Sequence, residues 1–217
     1  MFANFKTLES HEYVKYDEAK KTYSLGSLLI GLGNRARELN DFVDVASSFL
    51  PEIAELGLTI VLAKRFKETD LIYLAKQEPA LKVRLTISTG ETFPITAGAL
   101  GKCYYAFLPQ KDAEYILKKI VKNKELPSYT PNSVTNLEEF HRQIEEIRRD
   151  GIAESNEEYS LGISGFACPI FDSKGNIVLA IGAYMPSNLR GYIDLPEFKN
   201  VIKSSARKIS EAIVSLV

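Results

Sequence analysis

The chain has 217 residues, 28 acidic against 27 basic side chains, a formal net charge of −1 and 45% hydrophobic residues. That length can bury a real core and allows one domain or one plus a fragment, while the near-zero charge gives no bulk field to draw the protein to nucleic acid or anionic lipid. No apolar run reaches about 18 residues and no basic-then-apolar segment follows Met1, so neither a membrane span nor a signal peptide is expected.

Phe2, Phe5 and Leu8 stand at helical spacing in residues 1–10, and Glu12–Tyr16 with Thr22–Leu25 read as a small hairpin ending at Gly26. Such a piece has almost no core and is expected to be the remnant of a truncated domain. From Ser27 to Leu56 the pattern is helical, with Leu28, Leu29, Leu32, Ala36 and Leu39 on one stripe. Asn40 or Asp41 is placed to cap a second helix, Pro51 to bend or restart it, and Gly57 to end it. Leu58–Phe66, Asp70–Gln77 and Leu81–Ser88 then read as a three-stranded meander, which Thr89–Pro94 is expected to break.

Ile95–Ala106 opens a helix through a run of small residues. A helix start of this kind presents free backbone N–H groups and a positive dipole end, able to hold a carboxylate or phosphate. Close helix–sheet packing explains the same residues equally well. Gln110–Val121 and Leu137–Arg149 are amphipathic helices joined through a loop at Leu126–Asn136, and the Glu/Arg face of the second reads as solvated surface. Ile163–Phe171 and Asn176–Tyr184 flank the turn Asp172–Gly175 and form a β-hairpin apolar on both faces, hence covered on both sides. Its Gly165, Ala167, Gly182 and Ala183 remove volume where a packed sheet normally fills space, which suits either a ligand or tight packing. Asp194–Val217 closes the chain as a helix. The order predicts an α+β fold with the hairpin and meander in one mainly antiparallel, mixed sheet flanked by helices.

Chemistry is sparse. His11 and His141 are the two histidines, and neither has partners at metal-ligand spacing, so no metal and no cofactor are expected. The two cysteines, Cys103 and Cys168, lie in apolar surroundings without CxxC spacing, the pattern of a reduced, cytoplasmic protein. Cys103 has no basic neighbour in sequence but Lys102 and reads as core rather than nucleophile. Glu154, Glu157 and Glu158 form an acidic cluster whose commoner explanation is a solvated loop. Nothing here points to an enzyme.

Several stretches in fixed order resemble the IclR-type bacterial transcriptional regulators. They are Tyr23-Ser-Leu-Gly26, Pro94-Ile-Thr-Ala97 with Gly101-Lys102, Ile147-Arg-Arg-Asp-Gly151, Glu158 with Leu161-Gly162, Ala167-Cys-Pro169 and the Asp172–Tyr184 hairpin. The resemblance implies a GAF- or PAS-like effector domain over residues 41–217, a linker helix over 26–40, and in residues 1–25 the end of a recognition helix and the wing of a winged helix-turn-helix. It implies a homodimer or homotetramer that binds DNA through an intact N-terminal domain and answers to a small-molecule effector, an organic acid. By position, the effector pocket falls on Leu85, Ala97, Gly98, Ala99 and Leu100 around the helix start. On the strands it falls on Ser155, Gly165, Ala167, Gly182 and Tyr184. Where some relatives carry hydroxyl or thiol groups, Gly165, Gly182 and Tyr184 suggest a roomier pocket with a phenol donor. Lys6 and Lys15 would be the weak remaining DNA contacts, because four lysines face four acids in the 1–25 segment.

Overall fold

The structure, a computed structural model, describes residues 2–38, 41–80, 85 and 87–216, and it falls into two compact units, 1–44 and 45–217. In the first unit, helix α1 (Phe2–Ser10) leads into the hairpin β1 (Val14–Asp17) and β2 (Thr22–Leu25), followed by helix α2 (Leu28–Glu38). Its small core is aromatic: Tyr23 stacks on Phe5 and leans on Tyr16, both at 4.8 Å. Asp17 Oδ1 accepts from the Ala19 and Lys20 amides and so turns the hairpin. Of the helical stripe proposed above, Leu39 lies outside the described residues, as does the cap candidate Asn40. Leu28, Ile30 and Leu32 are exposed within this unit.

Helix α3 (Asp41–Ser48) crosses into the second unit, and α4 (Leu50–Ala54) follows with Pro51 in its first turn, where a missing N–H costs nothing. Gly57, at φ 82°, takes the left-handed turn that ends the helical segment. Then come β3 (Thr59–Phe66), β4 (Asp70–Gln77) and β5 (Thr92–Pro94), helices α5 (Gly98–Ala106), α6 (Gln110–Ile120) and α7 (Leu137–Asp150), strands β6 (Ala153–Asn156), β7 (Ile163–Phe171) and β8 (Ile177–Pro186), a 3-10 turn at Ser187–Tyr192, and α8 (Leu195–Val214). Helix α7 carries its own punctuation. Asn136 Oδ1 accepts from the Glu139 amide at 2.9 Å, Glu138 and Glu139 sit in the first turn, Arg148 and Arg149 in the last, and Gly151 closes it at φ 70°.

Six strands form one sheet in the order β5-β4-β3-β8-β7-β6, with every pairing among the described residues antiparallel. The β7–β8 hairpin forms as expected and joins the sheet through β3. The third strand expected at Leu81–Ser88 lies mostly outside the described residues; of it, Leu85, Ile87 and Ser88 are described and are not in a strand. Two expectations fail. Beside β4 stands Thr92–Pro94, in the segment read as a sheet breaker. Gly90, at φ 88°, turns the chain back, its amide donating to Tyr73 O at 2.8 Å while the Tyr73 amide donates to Glu91 O at 3.0 Å. Pro94 is tolerated because β5 is an edge strand, with no neighbour on its far side among the described residues. The second failure is β6, which lies in the stretch read as a loop.

Helix α5 packs on β6, β7 and β8 with α7 behind it, while α4 and α8 cover the other face. On the α5 face the register aligns two transverse rows. One runs Val61, Gly182, Ala167, Ala153; the next runs Thr59, Tyr184, Gly165, Ser155. The first row is filled: Leu100 Cδ1 lies 3.1 Å from where a Cβ on Gly182 would stand, and Val61 Cγ2 is equally near.

Candidate functional site

The second row is not filled. Between it, the start of α5 and the β6–β7 connection lies a cavity of about 380 Å³, inside the size range of small-molecule sites. Helix α5 begins there without a side-chain cap, since Ala97 at the cap position has no hydroxyl or carboxylate to offer. The Ala97 amide donates to Pro94 O and the Leu100 amide to the Tyr184 phenol oxygen, so the amides of Gly98 and Ala99 carry the free end of the helix dipole. The Gly101 amide is the first to enter the helix ladder. Gly98 adopts φ 62°, a left-handed conformation that bends the chain into the helix and suits glycine. A Cβ placed on it would lie 3.5 Å from Tyr159 Cβ and 3.9 Å from Ser155 Oγ.

Ser155 is 6% exposed, lines the cavity, and its hydroxyl has no hydrogen-bond partner among the described residues. The rest of the wall is mixed, with Ile87, Glu91, Thr92, Ser160 and Ile163 beside the aromatic Tyr73, Phe93, Tyr159 and Tyr184. Tyr73 stacks on Phe93 at 4.4 Å, and Tyr159 meets Tyr129 edge to face at 5.1 Å. The phenols stay protonated. Burial pushes Tyr73 and Tyr184 above the ordinary phenol range. Burial together with the Asp70 and Glu91 carboxylates does the same for Tyr159. The Leu100 amide pulls Tyr184 slightly the other way.

Six of the ten residues proposed from sequence line this cavity: Ala97, Gly98, Ala99, Ser155, Gly165 and Tyr184. The other four do not. Leu100 and Ala167 are fully buried core, Gly182 lies beneath Leu100 in the filled row, and Leu85 is half-buried off the cavity wall. The roomier pocket is also corrected. A Cβ on Gly165 would stand 2.3 Å from Tyr184 Cδ1, and one on Gly182 3.0 Å from Tyr184 Cε2. The volume both glycines release is occupied by the Tyr184 ring itself. Sequence reasoning missed Tyr73, Phe93, Tyr159 and Ser160, and with them Ile87, Glu91, Thr92 and Ile163; Tyr159 and Ser160 carried a local signal, lying between Glu158 and Gly162 in a stretch already singled out.

The acidic cluster is no solvated loop. Glu154 sits on β6 and pairs with Arg190 and Lys199, both of which lie over the Phe166 ring, at 5.8 and 5.6 Å. Glu158 is 14% exposed and holds Lys102 Nζ at 2.7 Å; Lys102, 2% exposed, also donates to Gln143 Oε1 at 2.7 Å. Burial draws Lys102 down and Glu158 up, each against the pull of the other. Cys103 is fully buried and its thiol is held well above the ordinary range, and Cys168 is pushed up to about 12, so neither is poised as a nucleophile. Among the described residues no group of three His, Cys, Asp or Glu could hold a metal ion, and no helix is long and apolar enough to cross a membrane. Lys6 and Lys15 are exposed on α1 and β1.

The comparison with known families decides the class. The bacterial transcriptional regulator IclR C-terminal model matches residues 37–211. This chain belongs to the IclR family. Among solved structures it is similar to the IclR regulator of Alicyclobacillus acidocaldarius, with 34% identity, a TM-score of 0.84, and 95% of this chain and 81% of that one covered. The Thermotoga maritima IclR matches at 28% identity and a TM-score of 0.80, over 98% of this chain and 84% of that one. Among curated proteins it is 25% identical to the regulator KdgR of Escherichia coli over 205 residues, 94% of this chain and 76% of that protein. It is likewise 25% identical to the repressor AllR of Klebsiella pneumoniae over 213 residues, 98% and 76% respectively. The relatives named with a function are regulators and repressors rather than enzymes. The chain is thus a transcriptional regulator of the IclR family with an effector-binding domain of GAF/PAS-like fold.

Proposed function

We propose that the cavity at the start of α5 is the effector site of this regulator, and that its ligand is a small metabolite with a carboxylate end. The observation that carries this is the meeting of uncapped amides at Gly98 and Ala99 with the buried, unpartnered Ser155 hydroxyl across one cavity. A carboxylate there gains the helix dipole and completes the hydrogen bonding of Ser155, while the protonated phenols of Tyr73, Tyr159 and Tyr184 serve the rest of the molecule. Residues 1–25 act as the end of the recognition helix and the wing of a winged helix-turn-helix, with Lys6 and Lys15 as weak DNA contacts, and 26–40 as the linker helix of a cytoplasmic homodimer or homotetramer. Effector binding biases the packing of paired effector domains and so the affinity for DNA.

A thermal-shift screen against small carboxylic, aromatic and sugar acids tests the reading. At about one hundred times the dissociation constant a ligand contributes about 2.7 kcal/mol, which raises the melting temperature of a domain this size by about 5–10 °C. The Ala99→Pro variant removes one amide donor at a position where proline is compatible with a helix start, and its shift should shrink. An undiminished shift in Ala99→Pro refutes the amide reading. A second reading, a dimerisation module without ligand, draws on the Tyr184 ring filling part of this face; it predicts no shift with any acid.

A further inference from the structure

Helix α5 touches the β6–β7 connection at two points one turn apart on a single face. Gly98 lies against Tyr159 and Ser155, and Lys102, four residues on, reaches Glu158. The connection, residues 157–162, carries the two wall residues Tyr159 and Ser160. Its outer side is held by main-chain contacts. Glu157 O and Glu158 O accept from Thr130 Oγ1 at 2.6 and 3.2 Å, and Glu158 O accepts from Ser133 Oγ at 2.7 Å. The Glu158 carboxylate anchors it on Lys102, while the Glu157 carboxylate accepts from Ser187 Oγ and from Asn132 Nδ2. A cation buried in the second turn of a helix is opposed both by desolvation and by the dipole. The pair therefore needs a reason beyond stability, because well-packed apolar residues would serve as well or better for that alone.

We infer that Lys102 and Glu158 are positioning residues for the effector cavity: their ion pair fixes Tyr159 and Ser160 as the wall facing the first turn of α5. This rests on the cavity being the effector site, but its first test needs no effector. Hydrogen exchange over the peptide 157–163 is compared in the wild type, Glu158→Gln and the apolar pair Lys102→Met with Glu158→Leu. In both variants exchange across 157–162 should rise by about tenfold or more, and in the apolar pair the β7–β8 hairpin keeps its protection. The apolar pair guards against misreading an unstable single variant, since it leaves no charge buried without a partner. Wild-type protection of 157–162 in that folded pair overturns the inference, because the contact would then be ordinary packing.

The second arm titrates the wild type and the apolar pair with propionate and with benzoate. If either acid binds the wild type, affinity should fall by about tenfold in the apolar pair, and equal affinity overturns the positioning role. If neither acid binds the wild type, the carboxylate reading of the cavity is what fails, and the exchange data still decide the role of the pair.

Discussion

Two neighbouring rows of the same sheet face end differently. The row Val61, Gly182, Ala167, Ala153 and the row Thr59, Tyr184, Gly165, Ser155 lie two residues apart along each strand, and each carries small residues, the second with the Tyr184 ring among them. The first is covered by the side of α5, where Leu100 and Cys103 are fully buried. The second reaches past the first turn of the helix, where there are amides and no side chains to descend, and its cover is the 157–162 connection. Small residues on a strand thus do not by themselves mark a ligand site. What lies above them decides whether the space is packing or cavity.

The largest expected effect comes from disturbing the cover of the second row. In Glu158→Gln, Lys102 stays 98% buried without its carboxylate, and breaking a buried pair by removing one partner costs about 3–5 kcal/mol. The sign of the pH dependence follows from the lysine. Burial already holds its folded pKa below the 10.5 of the free side chain, and loss of Glu158 lowers it further. Between that folded value and 10.5 the unfolded chain binds more protons than the folded one, so stability of the variant rises with pH. Chemical denaturation of Glu158→Gln at pH 7 and again near pH 10 should show the deficit against wild type shrinking. A constant deficit would mean that Lys102 is not the strained partner.

A second test addresses the floor of that row. Tyr184→Ala empties the space between Gly165 and Gly182, and truncating a buried aromatic costs about 3–5 kcal/mol. Gly165→Ala drives a methyl to within 2.3 Å of the Tyr184 ring, an overpacking worth about 1–3 kcal/mol. Because the two changes share one volume, the double variant should be less destabilised than the sum of the singles. Additivity in urea denaturation would show that the glycine is not there for the tyrosine.

How much of this was legible in the sequence depends on how local each feature is. The β7–β8 hairpin declares itself through two apolar runs around Asp172–Gly175, and α7 through the amphipathic spacing and Glu/Arg face of Leu137–Arg149, because those signals are carried by nearby residues. Strand β5 does not, since three residues ending in proline have no propensity of their own and are held only by β4. Ala153–Asn156 lacks β-branched residues and is a strand because β7 pairs with it. The cavity was half legible: the helix start showed in Ala97–Ala99, while the wall from Tyr73 and Phe93 shows only once the chain folds. Lys102 and Glu158 are 56 residues apart and no pattern links them.

The smallest effect on stability is the one that best separates the two rows in function. Ser155→Ala removes a hydroxyl that bonds to nothing among the described residues, so folding loses no hydrogen bond and the substitution should stay within about 0.5 kcal/mol of wild type. The equivalent position in the first row, Ala153, already carries the methyl that this variant would have. If the hydroxyl exists for a ligand, the cost appears only on binding: a neutral hydrogen bond to a carboxylate is worth about 1.5 kcal/mol or somewhat more, which calorimetric titration would read as an affinity about tenfold weaker for whichever acid the screen identifies. Unchanged stability with unchanged affinity would make Ser155 a bystander in the cavity wall and shift recognition of the carboxylate onto the amides of Gly98 and Ala99 alone.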